Sequence, residues 1–161
     1  MSEASAPIVT IVSANGPEDI AHVRALFREY ARFLNVSLCF QGFEEELAGL
    51  PGKYAPPEGE LLLARVGDGV AGVVGLRPLG GGFCEMKRLY VRPEFRGTGA
   101  GRLLAERVVD LGRALGYRAM RLDTLDRLEA ARALYDRLGF REVPAYYDNP
   151  LDGVLYYEKT Y

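Results

Sequence analysis

Apolar residues recur at helical spacing in the first third of the chain. Residues 17–34 predict an amphipathic helix, with Pro17 suited to its first turn. Its apolar face would consist of Val23, Leu26, Phe27, Tyr30, Phe33 and Leu34. A shorter helix is expected over residues 43–50, where Pro51 ends it.

Two further helices are predicted later in the chain, over residues 99–115 and 127–138. The apolar stripe of the first consists of Leu104, Val108, Leu111 and Leu115. Strands are expected between and beyond the helices, over residues 60–66, 70–77, 83–92, 117–124, 140–144 and 154–161. The turn at Asp68-Gly69 joins the first two strands as a hairpin. This order predicts a mixed, layered α/β fold with an antiparallel meander at its start.

Composition narrows the class of protein. The chain has 161 residues, 48% of them apolar, which suits one domain over residues 8–161 behind a frayed tail over residues 1–7. No apolar run is long enough to span a bilayer. The only two cysteines, Cys39 and Cys84, match no metal-binding spacing, and a reduced, cytoplasmic protein is the default expectation. A net charge of −2 gives no basic field for nucleic acid or an anionic membrane.

A glycine-rich segment joins the strand over residues 83–92 to the next helix. It consists of Arg96, Gly97, Thr98, Gly99, Ala100, Gly101 and Arg102. Glycines let the backbone turn tightly near a ligand, and the unpaired N–H groups of the helix start favour an anion such as pyrophosphate. The segment lacks the Gly-Lys-Ser/Thr of a Walker A loop and the third glycine of a Rossmann fingerprint. A plain surface turn with a helix cap is the alternative.

Three spaced motifs resemble the GNAT superfamily of acetyltransferases. They are Arg96-x-x-Gly99-x-Gly101, the preceding Leu89-Tyr90-Val91-Arg92-Pro93, and Tyr135-x-x-x-Gly139-Phe140. The resemblance covers residues 60–161 and, more loosely, the first helices. It implies a mainly antiparallel central sheet with helices on both faces, and acetyl-CoA as co-substrate without a metal. It also implies main-chain contacts of Leu89 and Val91 with pantetheine, and contacts of residues 96–102 with the pyrophosphate.

Acetylation of an amine needs a proton acceptor, because an alkyl ammonium with a pKa of about 10 has no lone pair. The resemblance makes Glu85 the general base, acting directly or through water, and Tyr135 the acid that protonates the leaving thiolate. Simple alternation would place Glu85 on the strand face of Leu89 and Val91. The structural alternatives are a surface glutamate paired with a cation and a tyrosine of the core.

Other positions complete the expected site. Leu128 stands where many family members have an asparagine, so it can offer the pantetheine arm only apolar contact. Tyr30, Tyr146, Tyr147 and Asn149 are expected to wall an acceptor pocket, with packing of the last strands as the alternative. Lys87 and Arg88 are interpreted as solvated surface cations, with binding of an anionic acceptor group as the alternative.

The predicted function is transfer of an acetyl group from acetyl-CoA to a primary amine of a small molecule or amino acid, by direct attack in a ternary complex. The alternatives are a protein or peptide N-acetyltransferase and a non-catalytic acyl-CoA-binding sensor. The expected partner is a small-molecule amine, without nucleic acid or membrane, and the expected assembly is a monomer or homodimer.

Overall fold

The computed structural model describes residues 7–38 and 42–161 of the chain. Cys39 and nearly all of the predicted tail, residues 1–6, lie outside the described residues. No helix in the described ranges is long and apolar enough to cross a membrane.

A seven-stranded sheet forms the centre of the fold. Its strands are β1 (Val9–Ser13), β2 (Glu60–Val66), β3 (Gly69–Gly80), β4 (Phe83–Val91), β5 (Ala119–Leu125), β6 (Arg141–Val143) and β7 (Val154–Thr160). They lie in the order β1-β2-β3-β4-β5-β7-β6. All neighbours pair antiparallel except β4 and β5, which are parallel. The predicted hairpin is confirmed, since Val66 pairs with Gly69.

Helices cover both faces of this sheet, as expected. They are α1 (Gly16–Leu34), α2 (Phe43–Ala48), α3 (Ala100–Ala114) and α4 (Glu129–Arg137), with 3₁₀ turns at Gly52–Tyr54 and Pro93–Phe95. One core cluster joins α1 and α2 to one face of the sheet, and a second joins α3 and α4 to the other face. The mixed, mainly antiparallel fold class is therefore confirmed.

Three details differ from the sequence-based expectation. Strand β1 was not predicted, and it pairs with β2 at the edge of the sheet. Phe33 is 44% exposed although it lies on the apolar side of α1, and Leu115 is 40% exposed just after α3. Both therefore fall outside the buried core to which the helical periodicity assigned them.

Strands β4 and β5 separate soon after they meet. Their pairing is limited to Phe83 with Ala119, Cys84 with Met120 and Glu85 with Arg121. Beyond this point the two strands have no register with each other, and a gap opens between them.

A β-bulge interrupts β4 just after the point of separation. Gly75 faces Lys87 and Val73 faces Tyr90, so Arg88 and Leu89 together oppose a single residue of β3. Arg88 has a φ of 61°, which is uncommon for a residue other than glycine. The bulge therefore changes which residues of β4 share a face.

The prediction that Glu85 shares a face with Leu89 and Val91 is wrong for this reason. Leu89 and Val91 pack against the same cluster as Cys84 and Met86, on the side of α3. Glu85 alternates with those two residues and faces the opposite side, where it contacts Arg77 from β3.

The core on the α3 side supplies a test of the fold. Leu104 of α3 is completely buried, so Leu104→Ala should lower the free energy of unfolding by about 2–5 kcal/mol through lost burial and a residual cavity. Leu115→Ala, at an exposed position just after the same helix, is the matched control and should cost less than about 1 kcal/mol. Chemical denaturation measures both, and equal losses would contradict this assignment of the core.

Candidate active site

A cavity of about 840 Å³ occupies the gap between β4 and β5. One end lies at the glycine-rich turn before α3, and other parts of its wall come from α1, β4, β5 and the first turns of α4. The predicted site residues that line it are Tyr30, Leu89, Val91, Arg96, Gly97, Gly99, Ala100, Gly101, Arg102, Leu128, Tyr135 and Asn149. Glu85, Thr98, Tyr146 and Tyr147 were also predicted for the site but do not belong to the cavity wall.

The glycine-rich turn presents unpaired backbone donors to the cavity. Gly97 and Gly99 have φ values of 83° and 88°, which let the chain turn before α3 begins. Thr98 supports the turn, because its hydroxyl donates to the Phe95 carbonyl at 2.6 Å and accepts from the Ala100 N–H at 3.3 Å.

The backbone N–H groups that follow, in the first turn of α3, have no partner inside the helix. The N–H groups of Gly101 and Arg102 have no acceptor within the described part of the chain. They lie at the positive end of a 15-residue helix, where an anion is stabilised. These donors therefore fit a pyrophosphate.

Two arginines add positive charge beside the same turn. The guanidinium of Arg96 lies 4.9 Å from the ring centre of Phe33, which explains why this exposed phenylalanine of α1 is held at the cavity. Arg102 forms an exposed ion pair with Glu106 at 3.1 Å. Both side chains line the cavity and can contribute charge-assisted hydrogen bonds to phosphate.

The free edge of β4 offers further main-chain groups. The N–H of Arg92 donates to the Ala71 carbonyl at 2.8 Å, so the backbone of Arg92 points toward β3. Backbone polar groups alternate in direction along a strand, so those of Leu89 and Val91 point into the gap that β5 has left. This edge fits an extended chain of amides such as pantetheine, and Leu128, at the start of α4, adds apolar surface.

Tyr135 lies in α4 and combines core packing with a place in the cavity wall. Its ring packs edge-on to Phe140 at 5.9 Å and against Tyr157 at 6.2 Å between ring centres. Its hydroxyl has no hydrogen-bond partner among the residues described. Burial, and then the neighbouring Tyr30 and Asp123, raise the pKa of Tyr135 well above its usual range. The phenol therefore stays protonated at neutral pH.

A cluster of buried charges lies where β4 and β5 part. Glu85 is 1% exposed, and it accepts hydrogen bonds from Arg77 at 2.8 Å and from the Tyr146 hydroxyl at 2.5 Å. The ammonium of Lys87 lies 4.0 Å from Glu85 and 3.6 Å from Asp123. Lys87 therefore separates two carboxylates.

Lys87 and Asp123, which both line the cavity, shift each other's pKa. Burial lowers the pKa of Lys87, although Asp123 and Glu85 oppose this effect. Burial alone would raise the pKa of Asp123, but Lys87 and the hydrogen bonds from Tyr147 and Asn149 together hold it below its usual range. Asp123 therefore stays ionised.

The four residues predicted to wall the pocket of the acceptor substrate occupy two different places. Tyr30 and Asn149 line the cavity, and burial raises the pKa of Tyr30 to about 12. Tyr146 and Tyr147 instead lie behind the wall, where their hydroxyls donate to Glu85 and Asp123 respectively. These two tyrosines orient the carboxylates of the site.

Sequence reasoning missed Asp123 and misplaced Lys87 and Arg88. Asp123 lies between Leu122 and Thr124 near the end of β5, and a carboxylate within a central strand was the available signal. Lys87 and Arg88 were interpreted as solvated cations, but they are only 4% and 5% exposed. The interpretation failed because their partners lie far away in the sequence, at Asp123 and Glu46.

Comparisons with known proteins indicate one family and one fold. Residues 23–140 match the model of the acetyltransferase (GNAT) family. An uncharacterized N-acetyltransferase of Schizosaccharomyces pombe is 43% identical over 150 residues, which cover 92% of each chain. An acetyltransferase structure from Streptococcus agalactiae has a TM-score of 0.77 at 18% identity, covering 95% of this chain and 98% of that one. A putative acetyltransferase from Salmonella typhimurium, solved with acetyl-CoA, has a TM-score of 0.70 at 20% identity, covering 94% and 93%.

Substitution of Gly99 tests the phosphate site. Added methyl groups at Gly99 would enter the cavity beside Arg102, so Gly99→Val should weaken acetyl-CoA binding by about tenfold or more, the cost of one lost charge-assisted hydrogen bond. Calorimetry with acetyl-CoA measures the effect.

The opposite end of α3 provides a matched control. Gly116 has a φ of 87°, nearly that of Gly99, and nothing lies within 4 Å of an added Cβ. Gly116→Val therefore imposes the same backbone strain away from the cavity and should leave affinity unchanged. Undiminished affinity in folded Gly99→Val would refute the assignment.

Proposed function

The chain belongs to the GNAT family of acetyltransferases, and we propose that it moves the acetyl group of acetyl-CoA to a primary amine of a small molecule or amino acid. The amine nitrogen attacks the thioester carbonyl directly, the C–N bond forms, and the C–S bond breaks. The amine loses one proton and the departing thiolate gains one. A cytoplasmic location remains a prediction from the sequence.

The observation that carries this proposal is the continuity of one cavity. The same cavity joins the free N–H groups in the first turn of α3, the open edge of β4, the hydroxyl-bearing Tyr135 and the ionised Asp123. A long phosphorylated thioester needs the first two features, and acetyl transfer needs proton donors and acceptors at the far end. The buried charges and Tyr30 at that end favour a small acceptor held on several sides.

Tyr135 supplies the proton for the departing thiolate in this scheme. A phenol is protonated at neutral pH even without any shift of its pKa, and this hydroxyl is not committed to another described group. A donor that is already in place when the C–S bond breaks limits charge build-up on sulfur.

Glu85 accepts the proton of the amine through intervening water. Glu85 lies behind the cavity wall, so direct contact with the acceptor is not part of the scheme. Asp123 lies on the wall in its ionised form, which Lys87 and hydrogen bonds from Tyr147 and Asn149 stabilise. Asp123 therefore attracts the ammonium, and Glu85 takes the proton.

A screen of primary amines tests the proposed function. Purified protein is incubated with acetyl-CoA and each amine, and release of free CoA thiol is measured. Turnover with small amines or amino acids supports the proposal, whereas turnover confined to peptides and protein tails would replace it with peptide acetylation. Absence of CoA release with every amine would overturn it.

Removal of one hydroxyl tests the acid. Tyr135→Phe keeps the ring in its packing and should lower kcat by about 10²-fold, the lower range for loss of general acid catalysis, with little change in acetyl-CoA affinity. Tyr157→Phe is the matched control, since its ring contacts Tyr135 but its hydroxyl pairs with Arg132 away from the cavity. Wild-type turnover in Tyr135→Phe would leave this tyrosine with a packing role only.

Glu85→Gln tests the base through its pH dependence. The variant should lose kcat/KM most near neutral pH, where an amine of pKa about 10 is mainly protonated, and the loss should shrink as pH rises. A pH–rate profile with saturating acetyl-CoA, using an acceptor from the screen, measures this.

Glu158→Gln is the control for the lost ion pair. Glu158 pairs with Arg121 at 2.8 Å, the same distance that separates Glu85 and Arg77, and it lies on β7 outside the cavity wall. Its profile should follow the wild type. A Glu85→Gln profile parallel to the wild type would mean that another group accepts the proton.

A further inference from the structure

We propose that the acceptor is an amino acid whose free carboxylate binds Arg88, while its amino group lies toward Asp123. This inference rests on the proposed acetyl transfer and narrows its acceptor. It assigns a binding role to a residue that sequence reasoning interpreted mainly as a surface cation.

Arg88 is a buried cation, and one of its terminal nitrogens makes no hydrogen bond to a described residue. Its side chain is 2% exposed, and Nε and Nη2 donate to Glu46 of α2 at 3.1 and 3.3 Å. Its other terminal nitrogen, Nη1, has no acceptor among the described residues, and Arg88 belongs to the cavity wall. Among the described residues, only the Tyr54 hydroxyl is both fully buried and unpaired, so Nη1 of Arg88 is open to the cavity and can donate to a ligand there.

The guanidinium is also held rigidly. Its carbon lies 5.1 Å from the ring centre of Phe43, and the two bonds to Glu46 fix its orientation. The backbone of Arg88 adopts the left-handed φ of 61° at the bulge. Such strained conformations occur preferentially at ligand sites, and a fixed guanidinium matches the planar geometry of a carboxylate.

The charges of the cluster favour a zwitterion over a simple amine. Among the described residues of this cluster, three cations (Arg77, Lys87 and Arg88) face three carboxylates (Glu46, Glu85 and Asp123). An amino acid adds one charge of each sign and preserves this balance. An amine without a carboxylate would leave one buried positive charge uncompensated, which is costly.

The groups that such an acceptor needs share one wall. Arg88, Asp123 and Tyr135 all line the same cavity, and Asp123 lies 3.6 Å from Lys87, the residue next to Arg88. A carboxylate at Arg88 and an ammonium at Asp123 therefore lie in the cavity that Tyr135 also lines.

The first experiment uses the wild-type protein and three forms of each acceptor. The twenty L-amino acids are compared with their amides and with the matching decarboxylated amines, with CoA release as the measurement. The free acid that serves best should exceed its amide and its amine by about 10- to 100-fold in kcat/KM, as expected for a charge-assisted hydrogen bond. Equal or faster turnover of the amide or amine would overturn the carboxylate site and leave acetyl transfer intact. Absence of turnover with every primary amine would overturn both.

The second experiment changes Arg88 itself. Arg88→Lys keeps the charge but removes the planar fork, and it should raise KM for the amino acid about 10- to 100-fold with kcat little changed. The KM of the decarboxylated amine should not rise. Arg65→Lys, which alters an ion pair with Asp19 outside the cavity wall, is the control and should follow the wild type. An equal rise for amino acid and amine would reduce Arg88 to a structural residue and overturn the inference.

Discussion

The early separation of β4 from β5 is the constraint on which the site depends. A parallel strand pair that continued past Glu85 and Arg121 would satisfy its own backbone groups and fill the gap. Because the pairing stops there, β4 presents unpaired N–H and C=O groups to a cavity whose other end holds the free N–H groups of α3. Such groups are costly without partners. A ligand with amides along its length and phosphates at one end can pair with both the edge of β4 and the N–H groups of α3. The separation of the two strands therefore creates the cavity and also determines which kind of ligand fits it.

The bulge at Arg88 determines which groups β4 presents on each of its two faces and along its edge. One extra residue lets Leu89 and Val91 pack toward α3 while their backbone faces the gap, and it leaves Glu85 and Lys87 on the side of α1. Without the bulge, the strand would place the carboxylate on the side of α3. The division between a main-chain edge that faces the cavity and charged side chains on the side of α1 therefore depends on one irregular residue, Arg88, which Glu46 and Phe43 of α2 contact.

Local pattern predicted the helices, the hairpin and the antiparallel meander, because periodicity and glycine turns report structure within about ten residues. The same reasoning missed β1, whose five residues gain their strand character from pairing with β2, some fifty positions away. It also misjudged Lys87 and Arg88, because burial of a cation depends on partners that only the fold brings close. Tyr135 was accessible to sequence reasoning because its motif is local, whereas Asp123 is defined by contacts from the loop before β7.

Buried charges such as those at the end of the cavity are costly to desolvate, and replacement of buried ion pairs by well-packed apolar residues often leaves a protein equally or more stable. Their presence is therefore best explained by what they bind. The proposed amino-acid acceptor would add one charge of each sign to this cluster and keep it balanced. Acetylation would convert its ammonium into an uncharged amide, so Asp123 would lose its attraction for the bound molecule while Arg88 still held the carboxylate. The product would then be held by fewer charges than the substrate, which would favour its release.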